Sequence, residues 1–169
     1  FMIKFKTVAI SSSTSNKRVV EIGQQCIEIL NNLKVNVLLT KNLEELSKKT
    51  NQKTFSDTTV LKRADLLISI GGDGTLLGCA RRFGSKGIPI LGINLGNLGF
   101  LSDLAPEDMT SKLRDIIHGD YLNDTRLFLE ARIGSSKKFN IAVNEIVIHS
   151  ETIAQLIECI LGKAALETG

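Results

Sequence analysis

Short apolar runs alternate with helix-compatible segments over the first half of the chain. Four such runs, which we predict as strands, occupy residues 7–10, 35–39, 65–70 and 88–93. Apolar residues recur at steps of three and four over residues 19–33, which predicts an amphipathic helix between the first two strands. Because parallel neighbours need a crossover connection, this alternation predicts right-handed βαβ units and an open α/β sheet with its ligand at the carboxyl ends of the strands.

The second half of the chain has a different pattern. Pro106 begins an amphipathic segment that predicts a helix ending at Gly119. Residues 127–133 and 139–148 are rich in β-formers, and the Gly-Ser-Ser-Lys-Lys sequence at 134–138 has the composition of a turn. These features predict an antiparallel pair of strands, unlike the parallel sheet before them.

The change of pattern predicts a domain boundary near Gly119. We expect an α/β nucleotide-binding domain over residues 1–119 and a β-rich region over residues 120–169. Within the latter, residues 152–166 fit a helix and a strand equally well.

Composition narrows the class of protein. The chain has 169 residues, is 43% apolar and 23% charged, and carries a formal net charge of +3, which excludes a disordered tail. No apolar run approaches the roughly 20 residues of a membrane-spanning helix and no secretory signal stands at the start, so we expect a cytoplasmic protein without a membrane partner. So small and dispersed a charge argues against nucleic acid as a partner. Cys26, Cys79 and Cys159 lack metal-ligand spacing and are interpreted as reduced thiols.

The strongest candidate for chemistry is the Gly-Gly-Asp-Gly-Thr sequence at residues 71–75, directly after a predicted strand and before a helix-compatible segment at 76–83. Glycines let the backbone approach a phosphate, and the amides of a helix start attract an anion. The Asp73 carboxylate would repel a bare phosphate, so it implies either a Mg²⁺ ion between them or a hydroxyl to be activated, and both belong to phosphoryl transfer. An isolated Asp-Gly is most often a tight turn, but the strand-to-helix setting favours the phosphate site.

Two further segments carry polar groups that could contact a ligand. Residues 92–101 place three glycines around two asparagines, the first being Asn94, and end near Phe100. Amide side chains can bond hydroxyls or base edges and Phe100 can stack on a base, although a plain glycine-rich connection fits equally well. In the last predicted strand, the adjacent Asn144 and Glu145 need partners such as ribose hydroxyls if they are buried, whereas an exposed edge is the alternative.

These three motifs, in this order, resemble the bacterial NAD kinase family over about residues 7–149. Lipid kinases and phosphofructokinases share the first motif, but typically have a Gly-Thr-x-Asn-Asp type sequence where this chain has Asn-Leu-Gly-Asn-Leu-Gly-Phe. The resemblance implies an enzyme that makes NADP by transferring the γ-phosphoryl group of ATP to the adenosine ribose 2′-hydroxyl of NAD. A lipid or sugar kinase, and a catalytically inert fragment that binds a nucleotide, are the alternatives.

The resemblance also implies roles for the residues of the first motif. Asp73 would be the catalytic carboxylate that activates the ribose hydroxyl, with Gly74 beside the dinucleotide. Gly71, Gly72 and Thr75 would face the donor phosphates, and Mg²⁺ or another divalent cation would accompany ATP.

The remaining implied contacts lie further along the chain. Phe100 would pack near the adenine, and Asn144 with Glu145 would hold NAD by ribose and base contacts. Asn94 is a further candidate for the cofactor site, on the chemistry of its loop rather than on the resemblance. Family members continue into a larger β-domain, so the resemblance implies that residues 120–169 are the first strands of an incomplete NAD-binding domain. It also implies a homodimer or homotetramer.

Overall fold

A five-stranded parallel sheet forms the centre of the computed structural model, which describes residues 3–96, 104–132, 139–143 and 145–147. Its strand order is β3-β2-β1-β4-β5. The strands are β1 (Thr7–Ser11), β2 (Asn36–Thr40), β3 (Thr54–Phe55), β4 (Leu66–Gly71) and β5 (Ile90–Asn94). The predicted open parallel α/β sheet is therefore confirmed. The strand order reverses between β1 and β4, and such a switch point opens a crevice at the carboxyl ends of the two strands.

The four predicted strands each extend one residue further at the carboxyl end than the apolar runs indicated. The added residues are Ser11, Thr40, Gly71 and Asn94. Ser11, Thr40 and Asn94 are buried, because the backbone ladder continues although the side chains have become polar. Strand β3 was not predicted, since two half-buried residues give no periodicity to detect.

Within the described part of the chain, five α-helices flank the sheet. They are α1 (Lys17–Asn32), α2 (Glu44–Thr50), α3 (Asp57–Arg63), α4 (Asp73–Phe83) and α5 (Met109–His118). Side chains alternate across each strand, so Ile10 and Ile68 pack with α1, α2 and α5 on one face, while Leu67 packs with α3 and α4 on the other. Each face of the sheet is therefore covered, which agrees with the continuous apolar strands.

The helix predicted after Pro106 is confirmed with a small adjustment. Pro106 begins a single 3₁₀ turn, and the α-helix runs from Met109 to His118. Gly119 ends it in the left-handed conformation with φ of +96°, as a glycine C-cap does.

The antiparallel pair in the second half is present but short. Strands β6 (Leu129–Ala131) and β7 (Asn140–Ala142) pair antiparallel, with Leu129 opposite Ala142. Within the described residues this pairing spans three residues on each strand, fewer than the predicted 127–133 and 139–148. The predicted turn at 134–138 and the segment at 152–166 lie outside the described residues.

Among the helices that the structure describes, none has the length and apolarity needed to cross a bilayer.

Candidate active site

A cleft of about 520 Å³ opens at the carboxyl ends of β1, β4 and β5. Three connections form its walls, namely the loop from β1 to α1, the turn from β4 to α4 and the segment after β5. The lining residues are Ser13, Thr14, Asn16, Val19, Gly71, Gly72, Asp73, Thr75, Asn94, Leu95 and Gly96. The cleft thus lies at the switch point of the sheet, where the strand order predicts a ligand.

Gly71 shapes the turn at the end of β4. Its φ of +156° is rarely adopted by residues with a side chain, and a Cβ here would collide with the side chain of Thr75. The Gly71 carbonyl accepts a hydrogen bond from the Leu95 amide at 3.2 Å, which ties the ends of β4 and β5 together. A glycine is therefore needed at this position for the two loops to approach each other.

The turn leads directly into helix α4. Gly72 is the N-cap, and its carbonyl accepts hydrogen bonds from the amides of Thr75 at 2.9 Å and Leu76 at 3.2 Å. Asp73 is the first residue of the helix, is half-buried, and lines the cleft. A carboxylate is favoured at this end of a helix by the macrodipole. It lies where it could accept a proton from a hydroxyl bound in the cleft.

Asn94 is placed in the cleft by the last residue of β5. It is 3% exposed, and its Oδ1 accepts a hydrogen bond from the Gly96 amide at 2.9 Å. The backbone amide of Asn94 bonds the Leu104 carbonyl at 2.9 Å. The side-chain oxygen therefore fixes the backbone at Gly96, two residues further along the chain, and this contact was not predicted from the sequence.

The structure brings together most, but not all, of the residues predicted for the site. Gly74 is exposed on α4 and is not among the residues that line this cleft. Phe100 and Asn144 lie outside the described residues. Glu145 is exposed and lies outside the strands, so it has the exposed setting that was the alternative to a buried pair.

The wall formed by the loop from β1 to α1 was not predicted. Ser13, Thr14 and Asn16 line the cleft, and Ser13 Oγ lies 2.6 Å from Thr75 Oγ1, so the loop after β1 touches the start of α4. The available signal was a polar tract directly after a buried central strand. A tract in that position lies at the same edge of a parallel sheet as the glycine turn.

The residues of the cleft suit a magnesium ion that arrives with a polyphosphate. Asp73 supplies one carboxylate, and the hydroxyl-bearing residues Ser13, Thr14 and Thr75 line the same cleft. No three His, Cys, Asp or Glu side chains converge as a metal-binding group in the part of the chain that the structure describes. Mg²⁺ is commonly held by one or two carboxylates together with substrate phosphates, so this donor set fits such an ion.

A parallel sheet with a glycine turn, a helix start and one carboxylate at its switch point defines an α/β protein of the nucleotide-binding class. Over residues 5–121 the chain matches the family model of the ATP-NAD kinase N-terminal domain. The chain therefore belongs to the NAD kinase family, which confirms the resemblance of its motifs.

Individual relatives agree with this assignment. The chain is 36% identical to the NAD kinase of Tolumonas auensis over 157 residues, covering 91% of this chain and 53% of that protein. It is 32% identical to the NAD kinase of Photorhabdus laumondii over 158 residues, covering 92% of this chain and 54% of the other. A crystal structure of yeast NADH kinase complexed with NADH superposes with a TM-score of 0.68 at 26% identity, covering 82% of this chain and 46% of that one. The chain spans about half the length of the curated relatives it matches.

Proposed function

We propose that this chain is the nucleotide-binding part of an ATP-dependent NAD kinase, which transfers the γ-phosphoryl group of ATP to the adenosine ribose 2′-hydroxyl of NAD. The observation that carries the proposal is the position of Asp73, at the start of α4 and inside a cleft walled by Gly71, Gly72 and Thr75. Membership of the family supports the same activity.

In this mechanism, Asp73 accepts the proton of the ribose 2′-hydroxyl. The hydroxyl oxygen forms a bond to the γ-phosphorus of ATP, and the bond between that phosphorus and the β,γ-bridging oxygen breaks to release ADP. The backbone of the glycine turn faces the donor phosphates, because no side chain at Gly71 or Gly72 keeps them away. Mg²⁺ supplied with ATP neutralises phosphate charge. Asp73 would hold that ion together with the hydroxyl-bearing residues that line the same cleft.

Contacts to the dinucleotide belong to the same proposal. Asn94 lines the cleft, while Gly74, Phe100, Asn144 and Glu145 are assigned to NAD on the resemblance to the family. We further propose that residues 1–119 form the nucleotide-binding domain and residues 120–169 the start of the NAD-binding domain, in a cytoplasmic homo-oligomer. Association is supported by large apolar side chains that are exposed among the described residues of the second region: Leu122, Leu127, Leu129, Phe139, Ile146 and Val147.

A phosphoryl-transfer assay tests the activity. The purified chain is incubated with Mg²⁺ and radiolabelled ATP, with NAD, NADH, diacylglycerol or fructose 6-phosphate in separate reactions. NADH is included because the yeast neighbour was solved with it. Labelled NADP is the expected product. Label in the lipid or the sugar phosphate would overturn the assignment, and nucleotide binding without transfer to any acceptor would favour an inert fragment.

A further inference from the structure

The segment between α5 and β6 contacts the proposed nucleotide-binding domain near its two ends. Tyr121 and Phe128 are half-buried, while residues 122–127 between them are exposed. The Tyr121 ring lies beside Phe5, with 5.6 Å between the ring centroids. Phe128 directly precedes β6, so a contact of its ring with the first domain also affects the placement of the paired strands β6 and β7.

Gly84, directly after α4, leaves room for the Phe128 ring. A Cβ built at Gly84 would lie 2.8 Å from Cζ of Phe128 and 3.7 Å from Cδ1 of Ile90, so the ring occupies the space that a side chain here would take. The Gly84 backbone has φ of −66° and ψ of −33°, which is the ordinary right-handed helical conformation. Alanine is more favourable than glycine in that conformation, so the close approach of the ring is what requires a glycine here.

The space around this contact is a groove rather than a filled core. The groove has a volume of about 800 Å³ and is lined by Gly84 and Ile90 on one side and by Leu122, Phe128 and Val143 on the other. Unfilled space contributes no packing contacts. The placement of β6 and β7 therefore depends on the side chains that do reach across, and Phe128 is one of them.

Helix α4 connects this contact to the proposed active site. Asp73 is the first residue of the helix and Gly84 follows its last, so the two lie roughly 16 Å apart along the helix axis. Phe83, next to Gly84, is fully buried in the core between α4 and the sheet, which fixes this end of the helix.

The strand pair connects the contact to the residues assigned to NAD. Leu129, which follows Phe128, pairs with Ala142 across the two strands. Asn144 and Glu145 lie two and three positions after Ala142 in the sequence. A displacement of Phe128 would therefore displace the strand pair that leads to these residues.

We propose that Phe128 is a positioning residue, whose ring packs against Gly84 and holds β6 and β7 at a fixed place relative to α4. In the kinase, this contact sets the distance between Asp73 and the residues assigned to NAD. The packing of the ring on Gly84 is independent of the reaction, whereas its consequence for NAD rests on the proposed function.

A double-mutant cycle tests the contact by thermal unfolding of the 169-residue chain. In the wild-type background, the methyl group of Gly84→Ala meets the ring, so the melting temperature should fall or stay unchanged. In a Phe128→Ala background, the same substitution should raise the melting temperature by about 1–4 °C, because the preference for alanine is no longer opposed. An equal effect of Gly84→Ala in both backgrounds would overturn the contact.

Gly78→Ala is the matched control for this cycle. Gly78 lies within α4, and a Cβ added there would meet no heavy atom within 4 Å beyond the local helix backbone, among the residues that the structure describes. Gly78→Ala should therefore raise the melting temperature to the same extent in both backgrounds.

Hydrogen exchange measures whether the ring holds the strand pair. Phe128→Ala should speed amide exchange in β6 and β7 several-fold and leave exchange in β1 and β4 unchanged, because only the strand pair loses its support. Phe139→Ala is the matched control, since Phe139 directly precedes β7 but is 48% exposed, and both strands should exchange as in the wild type. Unchanged exchange in Phe128→Ala would contradict the positioning role.

Initial rates test the consequence for NAD. Phe128→Ala should raise the KM for NAD about tenfold, while kcat and the KM for ATP stay within about twofold of wild type. Combining Gly84→Ala with Phe128→Leu should restore much of the KM, because the added methyl group fills space that the shorter side chain leaves. An unchanged KM for NAD, or an equal change for both substrates, would show that Phe128 does not position the NAD contacts.

These results are distinguishable from a failure of the proposed function. A chain that phosphorylates no NAD rejects the kinase assignment, and the melting temperatures and exchange rates then decide whether Phe128 holds the strand pair on Gly84.

Discussion

The two regions of the molecule differ in how far their apolar side chains are buried. Among the described residues, every buried apolar side chain lies within residues 5–117, and every large exposed one lies within residues 122–147. In the first region both faces of the sheet are covered by helices. In the second, Leu122 is fully exposed and Leu127 is 82% exposed, and the described residues form two short paired strands.

The buried apolar side chains of the described residues all lie in the first region, which also carries the glycine turn, Asp73 and the loop from β1. A sheet of two strands has little stability by itself, so the described strands of the second region would need contacts beyond their own pairing. We therefore expect substitutions in the first region to change stability or activity, and substitutions of exposed side chains in the second to change self-association.

The largest effect is expected from Asp73→Asn, which removes the proposed proton acceptor without removing a core side chain. Transfer to NAD should fall by about 10²–10⁴-fold. Asp57→Asn is a matched control, because Asp57 is likewise the first residue of a helix but lies on α3, paired with Arg82 at 2.6 Å. Initial rates with Mg-ATP and NAD measure the effect, alongside thermal unfolding. Normal turnover by Asp73→Asn would refute its assigned role.

Shortening one apolar side chain in each region tests whether stability depends mainly on the first region. Ile68 lies in the interior strand β4 and is fully buried, so Ile68→Ala should lower the free energy of unfolding by about 2–5 kcal/mol. Leu127→Ala should change it by less than about 0.5 kcal/mol, because that side chain is already exposed. Urea unfolding of both variants measures the difference. Equal losses would mean that the two regions share one core.

A buried thiol should make the stability of the first region fall at alkaline pH. Burial raises the pKa of the Cys26 thiol to about 12. An unfolded thiol ionises near pH 8.5. The folded pKa is the higher one, so the stabilisation from this thiol is complete below about pH 8.5 and is lost as pH rises toward 12, at about 1.4 kcal/mol per pH unit.

The comparison variant for this effect is Cys26→Ala. Its cavity lowers stability at all pH values, so the slopes of the free energy of unfolding against pH are compared rather than the absolute values. The variant should lose stability less steeply above pH 9 than the wild type. Parallel curves from pH 8 to 11 would show that this thiol ionises in neither state or to the same extent in both.

The smallest effect on the free energy of unfolding is expected from substitutions on the exposed apolar surface of the second region, which should instead change self-association. Leu122→Glu combined with Leu127→Glu places charges on the exposed apolar surface and should weaken self-association about tenfold, with little change in unfolding. Sedimentation velocity over a range of concentrations measures it. A wild-type chain that stays monomeric at high concentration would contradict the expectation.

Much of the fold could be predicted because its signals are local. Four of the five strands of the central sheet are continuous apolar runs in the sequence, and α5 is indicated by the spacing of its apolar residues and by Gly119. The strand ends at Ser11, Thr40 and Asn94 were not predicted, because polar residues after an apolar run are typical of a loop. Only pairing with neighbouring strands keeps these residues in the sheet. The site was predicted at the glycine turn for the same reason, because a strand, a glycine pair and an acid are contiguous.

By itself, the sequence determined the class of sheet, the position of the glycine turn, the carboxylate proposed to accept a proton, and the family to which the motifs point. Only the tertiary structure decided that Ser13 touches Thr75, which lies 62 positions away, and that Phe128 packs against Gly84. Periodicity and motif spacing report on neighbours along the chain. Contacts between separate loops depend on which strands lie side by side, and that order is set by packing of the whole sheet.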